Sequence, residues 1–305
     1  MNEIELLNRM RDEVPEQQDL RGVERALARR TAGPAPMPAR RPVYRLRLGL
    51  TAAGACALAV AATAVATSGG GNVQPPVATT TRPAVTKTVL ERAALVAGRS
   101  TAQEIRPDQW FYLKESQHMG GGLPTFEHWS RMDGGRTALR QEGGELKVGP
   151  PEKGPTDVTR TQREVEALPT DPDALVKHFR GLETARTPLS VCAPMCPPEI
   201  ADDVKVFGAI GWYMKFGPMI PPDTRAAMYR ALAKLRHVSV EENATDMDGR
   251  AGVGVVFDAG AHGKSVYILD SGDYRYMGVK SVDDGAAIGM SVLGAGIVDN
   301  AGDLP

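Results

Sequence analysis

Along residues 1–30 apolar side chains recur at helical spacing: Ile4, Leu7 and Met10 or Val14 in MNEIELLNRMRDEV, then Leu20, Val23 and Leu27 in DLRGVERALARR. Pro15 ends the first pattern, and acidic residues alternate with arginine along both predicted helices. Two helices this short cannot bury a core by themselves, so the segment is either a solvated tail or one that folds against a cytoplasmic partner. Residues 31–41, rich in Ala, Pro and Arg, read as a linker. The pattern then changes to one uncharged run, Leu48 to Thr67 (LGLTAAGACALAVAATAVAT), about the length of a membrane-spanning helix. Arg40, Arg41, Arg45 and Arg47 stand before it, and positive charge beside a crossing favours the cytoplasmic side. The competing reading is a secretory signal peptide with Ala64 and Ala66 as its cleavage site. A long arginine-bearing region ahead of the run is unusual for a signal and favours an uncleaved anchor. Alanine contributes little to insertion, so this helix is expected to depend on its arginine flank.

After the run, SGGGNVQPPVATTTRP has no core-forming residues and reads as a spacer. Folded structure is expected from about Val85, beginning with a short helix through Val89, Ala93 and Val96. QWFYLKESQHM, TFEHWSRM and RTALRQE, separated by Gly120–Gly122 and by Asp133-Gly134-Gly135, predict a meander of antiparallel strands. Three helical stretches follow. DPDALVKHFRGLE has Asp171 as N-cap, Pro172 at the first helical position, and Leu175, Phe179 and Leu182 on one face. PPEIADDVKVFGAIGWYMKF presents Ile200, Val204 and Phe207. PPDTRAAMYRALAKLR presents Met228, Leu232 and Leu235 opposite Arg225 and Lys234. A second meander is expected in HVSVEENATDMDG, RAGVGVVFDAG, KSVYILDSG and YRYMGVKSV. Strands, then helices, then strands argue for an α+β domain in which an antiparallel sheet curls over a helical layer. The organisation read from the chain is therefore a cytoplasmic amphipathic segment (1–47), a transmembrane helix (48–67), a flexible spacer (68–84) and an extracytoplasmic α+β domain (85–305).

Composition adds limits. The chain has 305 residues, is 42% hydrophobic and carries a formal net charge of −1, with no long basic stripe outside, so nucleic acid is not an expected partner. Cys56 lies in the apolar run, whereas Cys192 and Cys196 sit in TPLSVCAPMCPPE. Outside a membrane that pair is expected as a structural disulfide, since zinc would need two further ligands that nothing nearby supplies.

Several motifs dissolve on inspection. DAGAHGKS (258–265) has Asp258 where a phosphate-binding loop needs its first glycine. DMDGR (246–250) follows Ala244 at the first calcium-ligand position and leads to Val255 at the twelfth. Ser291 in GMSVLG has Leu293 where a nucleophile elbow needs glycine. His118, His128, His178, His237 and His262 include no helical pair at metal-ligand spacing. Asn243-Ala244-Thr245 matches a glycosylation acceptor and signals an exposed turn. No catalytic constellation, metal or cofactor is expected. Trp110, Tyr112, Trp129, Phe207, Trp212 and Tyr213 read first as core, and alternatively as the lining of an apolar cavity between sheet and helices, suited to a lipid or an extended polypeptide.

The opening MNEIELLNRMRDEVPE, the arginine-flanked anchor, WFYLKE, PPDTRAAMYRALAKL, GRAGVGVVFD and GIVDNAGDLP together resemble a family of single-pass membrane proteins of streptomycetes and related actinobacteria. The resemblance runs over nearly the whole chain and implies topology rather than a reaction. The layout is similar to that of membrane-anchored anti-sigma regulators, although residues 1–47 lack their H-x-x-x-C-x-x-C zinc motif. The order of elements resembles the curled half-barrel of LolA-type and RseB-type periplasmic proteins. Two expectations follow: a non-enzymatic, membrane-anchored binding or sensor protein signalling through residues 1–47, or an envelope lipid or lipoprotein carrier that sends no signal.

Overall fold

The structure is a computed structural model that describes residues 82–120, 123–183, 186–192 and 196–305. The amphipathic segment, the apolar run with its arginines and most of the spacer lie outside the described residues. Among the described residues no helix is long and apolar enough to cross a membrane.

The described part is α+β. Helix α1 (Arg82–Arg99) leads into strands β1 (Trp110–His118), β2 (Phe126–Arg131), β3 (Thr137–Gln141) and β4 (Lys147–Gly149). Helices α2 (Val158–Ala167), α3 (Pro172–Arg180), α4 (Pro198–Met214) and α5 (Pro222–Leu232) follow, with a 3-10 turn at Gly217–Met219. Strands β5 (Val238–Thr245), β6 (Ala251–Asp258), β7 (Lys264–Leu269), β8 (Tyr276–Asp283) and β9 (Ala286–Val298) complete it. All nine strands form one antiparallel sheet in the order β4-β3-β2-β1-β9-β8-β7-β6-β5.

The local reasons for these elements are mostly those the pattern offers. Asp171 accepts the Ala174 N–H (2.8 Å) ahead of Pro172, and Asp157 caps α2 by accepting from Thr159 and Arg160. Pro-Pro pairs open α4 and α5 without any side-chain cap. In α1 the buried face is Thr86, Leu90, Ala93, Ala94 and Ala97, so Val89 and Val96 stand at its rim. Small residues on α1 meet Ala226 and Ala227 of α5, and Glu91 clamps the outer edge of this contact by pairing with Arg230 (2.7 Å).

The main core lies between the helices and β5–β8, where Phe207 of α4 stacks on Tyr267 of β7 with ring centres 4.0 Å apart. The Tyr267 hydroxyl donates to the Phe207 carbonyl (2.6 Å), and Gly211 lies against the tyrosine ring so closely that a Cβ would overlap it. Sheet curvature shows at the far face. A bulge between Glu241 and Ala244, with Asn243 at φ 60°, bends the tip of the β5–β6 hairpin across β8, β9 and β1. There Lys280 donates to the Thr245 carbonyl (2.6 Å), Met247 N–H to Ser291 Oγ (3.2 Å), and Ser116 to Asp248. Val256, Val266, Ile268 and Met277 are buried beneath it as a second layer. At the other end residues 299–305 lie over Tyr112, Trp129 and Ala138, and the Trp129 indole N–H donates to the Asp303 carbonyl (2.8 Å).

Candidate functional site

The six aromatic residues singled out from the sequence do not converge. Tyr112 and Trp129 pack together, ring centres 5.0 Å apart with Trp110 beside them, in the cluster under residues 299–305. Phe207 and Tyr213 belong to the main helix–sheet core. Trp212 is half-buried between that core and a smaller cluster of Phe111, Leu113, Phe216 and Met219. Their aromaticity serves packing in three separate layers.

Cys192 and Cys196 are bonded, with Cα atoms 4.9 Å apart. The bridge closes the segment that leads into α4, and Cys192 is buried against the helical core. Arg40, Arg41, Arg45 and Arg47 are among the residues not described.

The turns weighed as motifs are shaped by their own hydrogen bonds. Asp246 accepts from the backbone of Asp248 and Arg250 and pairs with the Arg250 side chain (2.6 Å), which shapes DMDGR. Gly263 closes the turn of DAGAHGKS at φ 85°. Ser291 is fully buried beneath the hairpin tip. Burial raises the Asp248 carboxyl, and hydrogen bonds from Ser116 and Ser291 with the nearby His118 outweigh that and lower it overall.

A cleft of about 500 Å³ opens where the end of α4, the 3-10 turn, the first turns of α5, the β7–β8 turn and β9 at Val292–Ala295 meet. That volume is in the range of small-molecule sites. Met214, Ile220, Tyr276, Val292 and Ala295 give it apolar walls, and Lys215, Arg225, Arg250 and Arg275 bring cations to them. A second opening of about 400 Å³, bordered by residues 101–105 and Pro221–Pro222, shares Pro218, Ile220 and Arg225 with the first. A third, of about 220 Å³, lies on the helix-facing side of β1 and β2 and shares Lys215.

Lys215 therefore stands between two openings. Its ammonium is 2.8 Å from Glu115, whose side chain is 2% exposed on β1. That burial makes the pair an internal strut, because a carboxylate so enclosed is tolerable only beside its cation. The Tyr276 phenol is held well above its usual range, first by burial and then by the charge of Glu115. In the third opening His128 Nδ1 lies 3.3 Å from Ser130 Oγ, and its Nε2 is 3.7 Å from Glu152. Burial lowers the His128 pKa in spite of the opposing charge of Glu152. Ser130 is only 3% exposed and lines the wall of this opening beside His128 and Glu152.

None of these polar residues was singled out in the sequence as a site. The signal available was β1 itself, whose helix-facing positions run Phe111, Leu113, Glu115, Gln117 and so change from apolar to polar halfway along the strand. No protein-family model and no curated protein matches the chain.

Proposed function

We propose that this chain is a membrane-anchored, non-enzymatic binding protein whose α+β domain lies outside the cytoplasmic membrane and takes an apolar or amphiphilic ligand, or part of a polypeptide, into the 500 Å³ cleft. The cleft carries the reading: it joins apolar walls to a few polar groups, which is the usual composition of a binding site rather than of a reaction centre. The Cys192–Cys196 bond supports an oxidising compartment, in keeping with the anchor at Leu48 to Thr67 and the arginines before it. In this reading the family is the actinobacterial single-pass group, and residues 1–47 dock on a cytoplasmic regulatory protein and report occupancy of the cleft.

The test is native mass spectrometry of the full chain purified from the membranes of an actinobacterial host, followed by organic extraction. A near-stoichiometric bound lipid or peptide is expected. Repeated preparations that arrive empty, and stay empty when offered lipids and peptides, refute the reading. A deletion of residues 1–40 that keeps the arginine flank should abolish a transcriptional response to the ligand. An unaltered response identifies the carrier without signalling.

A further inference from the structure

The cations around the large cleft are not equivalent. Lys215 is neutralised by Glu115 at 2.8 Å, Arg250 by Asp246 at 2.6 Å, and Arg275 by Asp270 and Asp273 at 3.1 and 2.9 Å. Arg225 differs from all three. Its Nη2 donates to the neutral Ser100 hydroxyl (3.1 Å), and its buried Nε has no hydrogen-bond partner among the described residues. A buried N–H without an acceptor is costly to maintain, and Nε is such a group although the Arg225 side chain as a whole is half-buried. Arg225 also stands in the wall common to the two larger openings, together with Pro218 and Ile220.

We infer that the ligand of the cleft is a single-chain amphiphile with an acidic head, a carboxylate or a phosphate, and that Arg225 is the group that receives that head. The inference rests on the reading of the cleft as a ligand site and specifies the chemistry of its occupant. A guanidinium offers planar, directed donors to either head, and here its charge is not already spent on a carboxylate among the described residues. The hydrocarbon chain then lies along Met214, Ile220, Tyr276 and Val292, which line the same opening. A neutral amphiphile satisfies those walls but leaves the guanidinium as it stands.

The experiment measures binding of palmitate, hexadecyl phosphate and hexadecanol to the full chain by native mass spectrometry from one fixed micelle background, so that partition of each probe is common to all variants. Both acids are expected to bind roughly 10- to 100-fold more tightly than the alcohol, the worth of a hydrogen bond to a charged group. Whichever acid binds more tightly identifies the head. Arg225→Met should remove the gap between the acids and the alcohol, Arg225→Lys should retain part of it, and Lys234→Met, outside the cleft, should leave the gap as in the wild type. If Arg225→Met fails to fold, the Arg225→Lys comparison and the wild-type preference still decide. Equal binding of acids and alcohol to the wild type, or an equal loss of all three in Arg225→Met, overturns the assignment while the cleft remains a lipid site. Binding of none of the three refutes the lipid site itself, and the assignment with it.

Discussion

Replacing Gly211 by alanine sets two effects of opposite sign against each other in the middle of α4. On an exposed helix the change is stabilising by about 1 kcal/mol, because alanine loses less backbone entropy. Here the added methyl overlaps Cζ, Oη and Cε1 of Tyr267. The ring has nowhere to go, since it is stacked on Phe207 at 4.0 Å with only 8° between the planes and its hydroxyl is tied to the Phe207 carbonyl at 2.6 Å. Overpacking a rigid core costs about 1–3 kcal/mol. Displacing the phenol strands a buried donor and acceptor, at about 1–3 kcal/mol more. The core terms win, and the expected net loss is about 3 kcal/mol, or a fall in Tm of roughly 6–12 °C for a domain of this size. Urea unfolding followed by tryptophan fluorescence reads it directly. Tyr267→Leu removes the overlapping atoms, so the double variant should be more stable than the sum of the two single losses by at least about 1 kcal/mol. A Gly211→Ala protein as stable as wild type, or strict additivity with Tyr267→Leu, would refute the close approach of α4 to β7.

Three further outcomes are expected. Lys215→Met should cost about 3–5 kcal/mol by stranding Glu115, whereas Glu115→Gln with Lys215→Met should return to within about 1 kcal/mol of wild type; equal losses in both would mean that the strut is not a buried ion pair. Reduction of Cys192–Cys196, which closes a short loop with a sequence separation of 4, should lower unfolding stability by about 2 kcal/mol, and an unchanged Tm under reductant would contradict a structural bridge. Burial raises the Glu164 carboxyl, but hydrogen bonds from Arg186, Arg160 and Tyr213 bring it down from 4.5 to about 2. A lowered carboxyl stabilises the fold fully above pH 4.5 and ceases to do so as the pH falls toward 2. Discounted for its partial exposure, the loss is ~1 kcal/mol, and the urea midpoint of Glu164→Gln should depend less on pH across that window than the wild type's.

Much of the fold was legible because the usual signals were present. Asp171-Pro172 marks the start of α3, Leu175 and Phe179 mark its buried face, and alternation marks β1, β2 and β5–β8. Strand β9 escaped reading because Gly289, Gly294 and Gly296 interrupt its alternation, and two of them sit where the neighbouring chain leaves no room for a side chain. Helix α2 escaped because only Val158, Thr161 and Val165 turn inward, and β4 because it has three residues. The cleft was not legible at all. Its walls come from segments that meet only when the sheet closes, and Arg225 had read as the solvated face of α5. No local spacing reveals that an arginine will lack a carboxylate partner in three dimensions.

Strand β9 joins the two meanders into one sheet by pairing with both β1 and β8. The contacts made on that side span as much as 193 positions, as between Arg106 and Asp299. Pairing of β9 with β8 is local, across the turn at Asp284-Gly285, whereas its pairing with β1 closes the long separation and is expected to form last, leaving the facing edges of β1 and β9 unpaired until then. During that interval the cleft lacks the wall supplied by Val292 and Ala295. If the cleft is the ligand site we propose, it cannot hold a ligand until the final strand is seated, which would make occupancy a report of complete folding and leave the open β1 edge as the point where a second chain would interfere.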